Sequence, residues 1–349
     1  MTSSLALLVA ASVVAGLMGA PSADVTITEN RSWVASAAQA LRPLGTAVRT
    51  TATIPGGTDV VEHVAAGNEA ERRRVLDYWT PRRMAAALPI GLLGTLKGAL
   101  VGSSAPARHQ AARPGTGAGA STATGGSRWT TGGLVGRTTG RVFLTLGGVD
   151  FVCSASSVKG ANKDLVVTAG HCVKDGTGAW ADNWTFVPGY DRGRQPYGQF
   201  TARRMFVAGP WSRSADDNHD VGMVALNKNG TKHLAEVVGA QDISFGTPRG
   251  RQTYGFGFPV DPPYNGEHLI YCAGPVRADP HDQTGDQGLG CTMTAGSSGG
   301  PWFSDFNPAT GRGVITSVSS FKYSDDQGTM YGPYFGEIAK NLYTIAQSA

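Results

Sequence analysis

Apolar and polar positions change texture three times along the chain. From Leu5 to about Ala20 nearly every side chain is apolar, mostly Leu, Ala and Val, and the small residues Gly19-Ala20-Pro21-Ser22-Ala23 follow. A run of about 16 apolar residues is shorter than the roughly 20 a spanning helix needs, and it fits the apolar region of a secretory signal with its cleavage zone over residues 1–23. The opening Met1-Thr2-Ser3-Ser4 carries no Lys or Arg, unlike the usual start of such a signal. Residues 24–102 are weakly apolar and give one helical pattern, Glu69 to Tyr78, stopped by Pro81. Residues 103–127 are almost wholly Gly, Ala, Ser, Thr, Pro and a few Arg. That composition buries too little apolar surface to order itself, which predicts a flexible, protease-accessible linker.

From residue 128 onward short β-type runs alternate with Gly, Pro and Asp/Asn signals: Val142–Leu146, Leu165–Thr168, Trp184–Val187, Phe200–Val207, Asp220–Leu226, Tyr254–Phe258, Leu269–Tyr271 and Gly313–Phe321. Many short strands with turn punctuation predict an all-β sandwich or barrel. Ile338, Leu342 and Ile345 recur at helical spacing, so a helix is expected over Phe335 to Ala346. Composition agrees: 49 glycines and only 16% charged residues describe a turn-rich chain, not a helical bundle.

Charge first suggests an anionic partner and then withdraws the suggestion. Lys+Arg 30 against Asp+Glu 26 gives +4, but residues 128–349 balance their acids and bases and residues 1–23 carry no charge. The whole excess lies between, much of it in Arg72, Arg73, Arg74, Arg82 and Arg83, which reads as a solvated helix face. No nucleic-acid partner is expected, nor membrane contact once a signal is removed.

All four cysteines, Cys153, Cys172, Cys272 and Cys291, lie after residue 128, and none forms a C-x-x-C pair. Behind an export signal an even count predicts disulfides. Three pairings are open; 153–172 and 272–291 would each close a short local loop, worth about 3 kcal/mol in the chain-entropy model.

Two motifs carry chemistry. Thr168-Ala169-Gly170-His171-Cys172 ends an apolar run and puts a histidine on a tight turn beside a cysteine, which suits an imidazole that accepts and returns a proton. Gly296-Ser297-Ser298-Gly299-Gly300-Pro301 lets backbone N–H groups approach a reacting carbonyl, with Ser298 as nucleophile and the amides of Gly296 and Ser298 as an oxyanion hole. The same loop satisfies G-x-S-x-G, but α/β-hydrolases place their histidine after the serine, and the last histidine here is His281. A carboxylate is then required between His171 and Ser298. Asp220, heading the apolar run to Leu226, suits burial behind an imidazole; Asp216 and Asp217 belong to a polar turn, and His219 reads as a surface or hinge residue.

In this order, TAGHC, Asp220 with its apolar strand, and GSSGGP resemble the chymotrypsin (trypsin-like) serine peptidases over about residues 130–349. The resemblance implies two six-stranded antiparallel β-barrels with a C-terminal helix, and a monomer that hydrolyses polypeptide substrates through a Ser298 acyl-enzyme, with His171 as base and acid and Asp220 orienting it. It implies no metal or organic cofactor. Tyr78-Trp79-Thr80-Pro81, the linker and the GSSGGPW loop are similar to secreted bacterial members made as proproteins, related to glutamyl endopeptidases, so residues 24–102 are expected to be a propeptide that partners its own peptidase domain, 128–349.

Three positions depart from family patterns. Ser297 stands where trypsin-type members carry the aspartate that pairs with a new N-terminus, and Thr292 where basic-specific members carry an aspartate. Val318-Ser319-Ser320 lacks the histidine of glutamate-specific relatives. Thr292, Met293, Thr294 and Ser319 are the candidate walls of the substrate pocket. A catalytically inactive binding protein and an esterase on the same scaffold are the alternative functions.

Overall fold

The computed structural model describes residues 60–92 and 125–349. The apolar run of residues 5–20 and nearly all of the 103–127 stretch lie outside the described residues.

The first described elements are β1 (Val60–Val64), α1 (Glu69–Tyr78), α2 (Pro81–Ala86) and β2 (Leu88–Pro89). The Asn68 side chain accepts from the Glu71 amide at 3.0 Å, which starts α1, and Thr80 caps the next helix with Pro81 in its first turn. Arg73 and Arg74 are 68% exposed, as expected of a solvated face, whereas Arg83 reaches Asp150 at 3.1 Å. Residues 60–92 have no separate apolar core. Val60, Trp79, Met84 and Ile90 are buried among side chains that follow residue 134.

After β3 (Ser127–Arg128), six strands form the first barrel: β4 (Thr139–Leu146), β5 (Val149–Ser157), β6 (Leu165–Thr168), β7 (Asp182–Pro188), β8 (Phe200–Ala208) and β9 (Gly222–Leu226). Their order is β8-β7-β4-β5-β6-β9, all antiparallel, and β9 pairs back with β8 to close the ring. Gly147 and Gly148, both at positive φ, make the two-residue turn between β4 and β5. β1 adds antiparallel to β8, pairing Val60 with Ala208 and Val64 with Arg204, and β2 runs parallel to β5, pairing Leu88 with Phe151.

The second lobe contains β10 (Asp242–Ile243), β11 (Gln252–Gly257), β12 (Ile270–Pro275), β13 (Arg277–Ala278), β14 (Gln287–Gly290), β15 (Pro301–Asn307), β16 (Arg312–Val318), β17 (Phe321–Tyr323) and β18 (Asp326–Gly332). They fall into two hydrogen-bonded sheets, β10-β16-β15-β11-β12-β3 and β13-β14-β18-β17. The all-β expectation therefore holds, with one closed barrel and a second lobe assembled from two sheets. A closing helix, α3 (Glu337–Ala346), lies on β8 and β9. It buries Ala339, Leu342 and Ala346, a face turned slightly from the expected Ile338-Leu342-Ile345 stripe because Ala lets the helix approach the barrel. Of the three possible cysteine pairings the fold contains Cys153–Cys172 and Cys272–Cys291. Among the described residues no helix is long and apolar enough to cross a membrane.

Candidate active site

The short run Leu165–Thr168 ends in a single 3-10 turn, Gly170–Cys172, that presents His171 at the junction of the two lobes. The disulfide to Cys153 on β5 fixes the turn from one side, and the Trp184 indole donates to the Cys172 carbonyl at 2.9 Å from another. His171 is 9% exposed. Its Nδ1 lies 2.7 Å from Asp220 Oδ2, and its backbone N–H donates to Asp220 Oδ1 at 2.7 Å. Asp220 precedes β9 by two residues and does not itself belong to the strand; it is 2% exposed and also accepts from the Ser320 hydroxyl at 2.5 Å. Burial alone would raise its pKa. The His171 charge and the hydrogen bonds from His171 and Ser320 outweigh burial and hold the carboxyl below its ordinary value. Asp216 instead caps its own turn at Asn218, and His219 lies 3.8 Å from Asp216.

Ser298 arrives from the second lobe. Its loop is pressed against the histidine turn so closely that a Cβ on Gly299 would lie 2.0 Å from Thr168 Oγ1, and one on Gly300 1.9 Å from the Phe256 carbonyl oxygen. Only glycine fits at both positions, and Gly299 also has φ +77. Ser154, on β5, clamps the loop across the lobe boundary: its amide donates to the Ser298 carbonyl at 2.7 Å and its hydroxyl to the Gly296 carbonyl at 2.9 Å. Within the loop the amides of Ser297, Gly299 and Gly300 are taken by Thr294, Ser319 and Ser297 carbonyls. Those of Gly296 and Ser298 have no acceptor among the described residues. Two unpaired donors beside a serine, within a loop whose other donors are used, are an arrangement able to stabilise an anion.

The remaining expected residues divide. Thr292 Oγ1 takes hydrogen bonds from the Gly126 amide and the Tyr264 side of the lobe, both at 3.1 Å, and Thr294 Oγ1 bonds the Asp261 backbone. Met293 is fully buried among Leu289 and Trp302, and the Ser319 hydroxyl accepts from the Trp302 indole at 2.9 Å. Ser297 Oγ bonds the Thr294 carbonyl at 2.6 Å, so it braces the loop. His171 also lies beside both sulfurs of the Cys153–Cys172 bridge, but bonded sulfurs offer no thiolate to a metal ion. The sequence reading missed Ser154 and Ser320, because nothing local marks a serine that bonds 100 or more residues away.

One neighbour contrasts with Asp220. Asp286 is 1% exposed and neither carboxyl oxygen has a hydrogen-bond partner. Burial first, then the charges of Asp217, Asp220, Asp279 and Asp216, push it up to about 8. A second His–Asp pair, His233 Nδ1 to Asp164 Oδ2 at 2.5 Å, has the same chemistry but stands at the start of the helix Leu234–Val238, where Asp164 also takes the Leu234 amide. A His–Asp contact alone is thus no active site here; the serine loop with its open amides distinguishes the pair at His171.

Comparison with known proteins agrees with this geometry. Residues 132–337 match the trypsin family. The crystal structure of protease Anisep from Arthrobacter nicotinovorans is 40% identical, with a TM-score of 0.59 over 61% of this chain and 96% of that one. The thermostable serine protease AL20 from an extremophilic microorganism is 37% identical, also with a TM-score of 0.59, over 62% of this chain and 99% of that one. A stretch of 100 residues is 32% identical to the extracellular metalloprotease of Bacillus subtilis, covering 29% of this chain and 32% of that protein's length. With the barrel, the residue order and the family match in agreement, this chain belongs to the trypsin family of serine peptidases.

Proposed function

We propose that the chain is a secreted serine endopeptidase made as a preproprotein, with Ser298, His171 and Asp220 as its catalytic triad. The observation that carries this reading is the convergence of a doubly bonded Asp220–His171 pair with a serine loop whose Gly296 and Ser298 amides are the two left open. In the reaction, Ser298 Oγ attacks the scissile carbonyl carbon while His171 Nε2 takes its proton. The carbonyl oxygen becomes an oxyanion held by the amides of Gly296 and Ser298. The C–N bond then breaks, His171 returns the proton to the departing amine, and an acyl-enzyme remains. Water, deprotonated by His171, attacks that ester, and the proton goes back to Ser298 as the acid product leaves. Asp220 holds the His171 tautomer throughout and stabilises the imidazolium, which is the role a buried, multiply hydrogen-bonded carboxylate can fill.

The segment around residues 60–92 acts in this reading as part of a propeptide. Its contacts support that role: Trp79 is 2% exposed and its indole donates to the Asn183 carbonyl, Tyr78 donates to Asp150 at 2.7 Å, and β2 runs along Phe151 and Val152, next to Cys153. Beyond β2, a Cβ on Gly91 would lie 3.1 Å from Ala295, the residue before Gly296. The segment therefore spans from the histidine side of the cleft to the serine loop. The apolar run at residues 5–20 and two disulfides support export to an oxidising compartment.

A fluorophosphonate probe tests the reading. The secreted product should label at Ser298, lose labelling in Ser298→Ala, and begin, on N-terminal sequencing, downstream of residue 92. An unlabelled, fully processed product would refute the peptidase assignment; a labelled product still carrying residues 60–92 would refute the propeptide.

A further inference from the structure

The segment from Ser319 into β17, which packs against the serine loop, carries a cation with no ion-pair partner among the described residues. Ser319 exchanges backbone hydrogen bonds with the loop, accepting from the Gly299 amide at 2.7 Å and donating to the Gly300 carbonyl at 2.9 Å, and Ser320 bonds Asp220. Two residues farther, on β17, the Lys322 ammonium donates to the Cys291 carbonyl at 2.7 Å and to the Gln327 carbonyl at 2.6 Å. Cys291 is tied to Cys272 and immediately precedes Thr292-Met293-Thr294, the stretch that leads into Gly296 and Ser298. Lys322 thus ties its own β17–β18 hairpin to the segment that leads into the nucleophile loop.

An ammonium has three N–H donors, and two are used. No carboxylate stands within ion-pair distance of Lys322 among the described residues; Asp326 acts on it only from farther off. Burial pulls the group down to about 8 against the more distant charge of Asp326, so the cation sits in partly desolvated surroundings with only carbonyl oxygens as direct partners. The other polar groups of this wall have partners of their own: Thr292 and Thr294 hydroxyls bond Tyr264 and Asp261, and Ser319 bonds Trp302. A half-buried cation with one spare donor and no carboxylate in direct contact is complementary to an anion that arrives from outside.

We propose that Lys322 sets the substrate preference of this site, by receiving the side-chain carboxylate of a glutamate or aspartate whose carbonyl is attacked by Ser298. The inference rests on the serine-peptidase reading and adds its substrate class: peptides cut after acidic residues. The lysine, on β17 just past Val318–Ser320, takes over the work that the absent histidine there would do, and it repels substrates with Lys or Arg at the same position.

The test uses the full chain, expressed and assayed as its secreted product, with four tetrapeptide p-nitroanilides that differ only in a final Glu, Gln, Leu or Lys. The wild type should favour Glu over Gln by about 10–100-fold in kcat/KM, as expected for one charge-assisted hydrogen bond. Lys322→Met should bring that ratio to near one, and Lys322→Arg should keep it above one. A wild-type ratio at or below one, or an unchanged ratio in Lys322→Met, would overturn the proposal while Ser298 labelling stays intact. Loss of labelling in the wild type would instead overturn the underlying peptidase reading. A bracing role for Lys322 alone would change stability without moving the Glu-to-Gln ratio, and should Lys322→Met not fold, the wild-type ratio decides.

Discussion

In the first barrel the polar atoms that serve the site are already engaged: Asp220 accepts from the His171 backbone and from Ser320, and its second oxygen also meets the imidazole. In the second lobe the donors assigned to substrate in the proposed reading are ones left open, the amides of Gly296 and Ser298 and the third donor of Lys322. Each lobe also holds the other's part in place. Ser154 of the barrel clamps the serine loop, and Ser320 of the second lobe braces the barrel's aspartate. Under the proposed function the difference is a division of labour: a saturated half would keep a proton acceptor in one tautomer, and an unsaturated half would take its missing partners from substrate.

That division can be broken or sharpened by mutation, beginning with the largest effect. Asp220→Asn should lower kcat by about 10⁴ with KM nearly unchanged, because an amide cannot enforce the His171 tautomer, and steady-state kinetics on a peptide substrate reads it. A large change in KM instead would mean that the saturated half also binds substrate. Next come the two buried aspartates, alike in burial and opposite in partners. The raised pKa of Asp286 means that its folded-state stability is fully present below about pH 4 and declines as pH rises toward about 8. Asp286→Asn should therefore leave stability nearly unchanged at pH 4 and raise it by about 5 kcal/mol at pH 8, measured by denaturant unfolding at the two values. The smallest effect is expected for Ser154→Ala, which removes the clamp bond to the Gly296 carbonyl and the acceptor of the Phe258 amide while its backbone amide still holds the Ser298 carbonyl. About tenfold in kcat should be lost, with thermal stability down by about 1 kcal/mol.

How far the sequence reading reached depended on whether the signal was local. The helix Glu69–Tyr78 and the strand Leu165–Thr168 are both observed with the expected bounds, since a cap, a proline and an apolar run are contained in the segments themselves. β5 went unpredicted: Cys153-Ser154-Ala155-Ser156-Ser157 is small and polar, yet all of it is buried, because strands on both sides and the serine loop cover it. β18 went unpredicted as well, as its Asp326-Gln327-Gly328 start resembles a turn until β14 and β17 pair with it. The run expected as one strand over Gly313–Phe321 divides at Ser319-Ser320, where the chain leaves β16 to meet the serine loop and Asp220.

By itself the sequence determined the β-rich texture after residue 128 and the order His171, Asp220, Ser298, because each is written in contiguous residues whose chemistry and spacing do not depend on what surrounds them. Only the tertiary structure decided which amides of the loop stay free, which serines clamp it, that Trp79 and Ile90 share the barrel's core, and that Lys322 meets carbonyl oxygens and no carboxylate. Those are properties of partners brought together from distant parts of the chain, and a hydrogen bond or its absence exists only once both sides are in place.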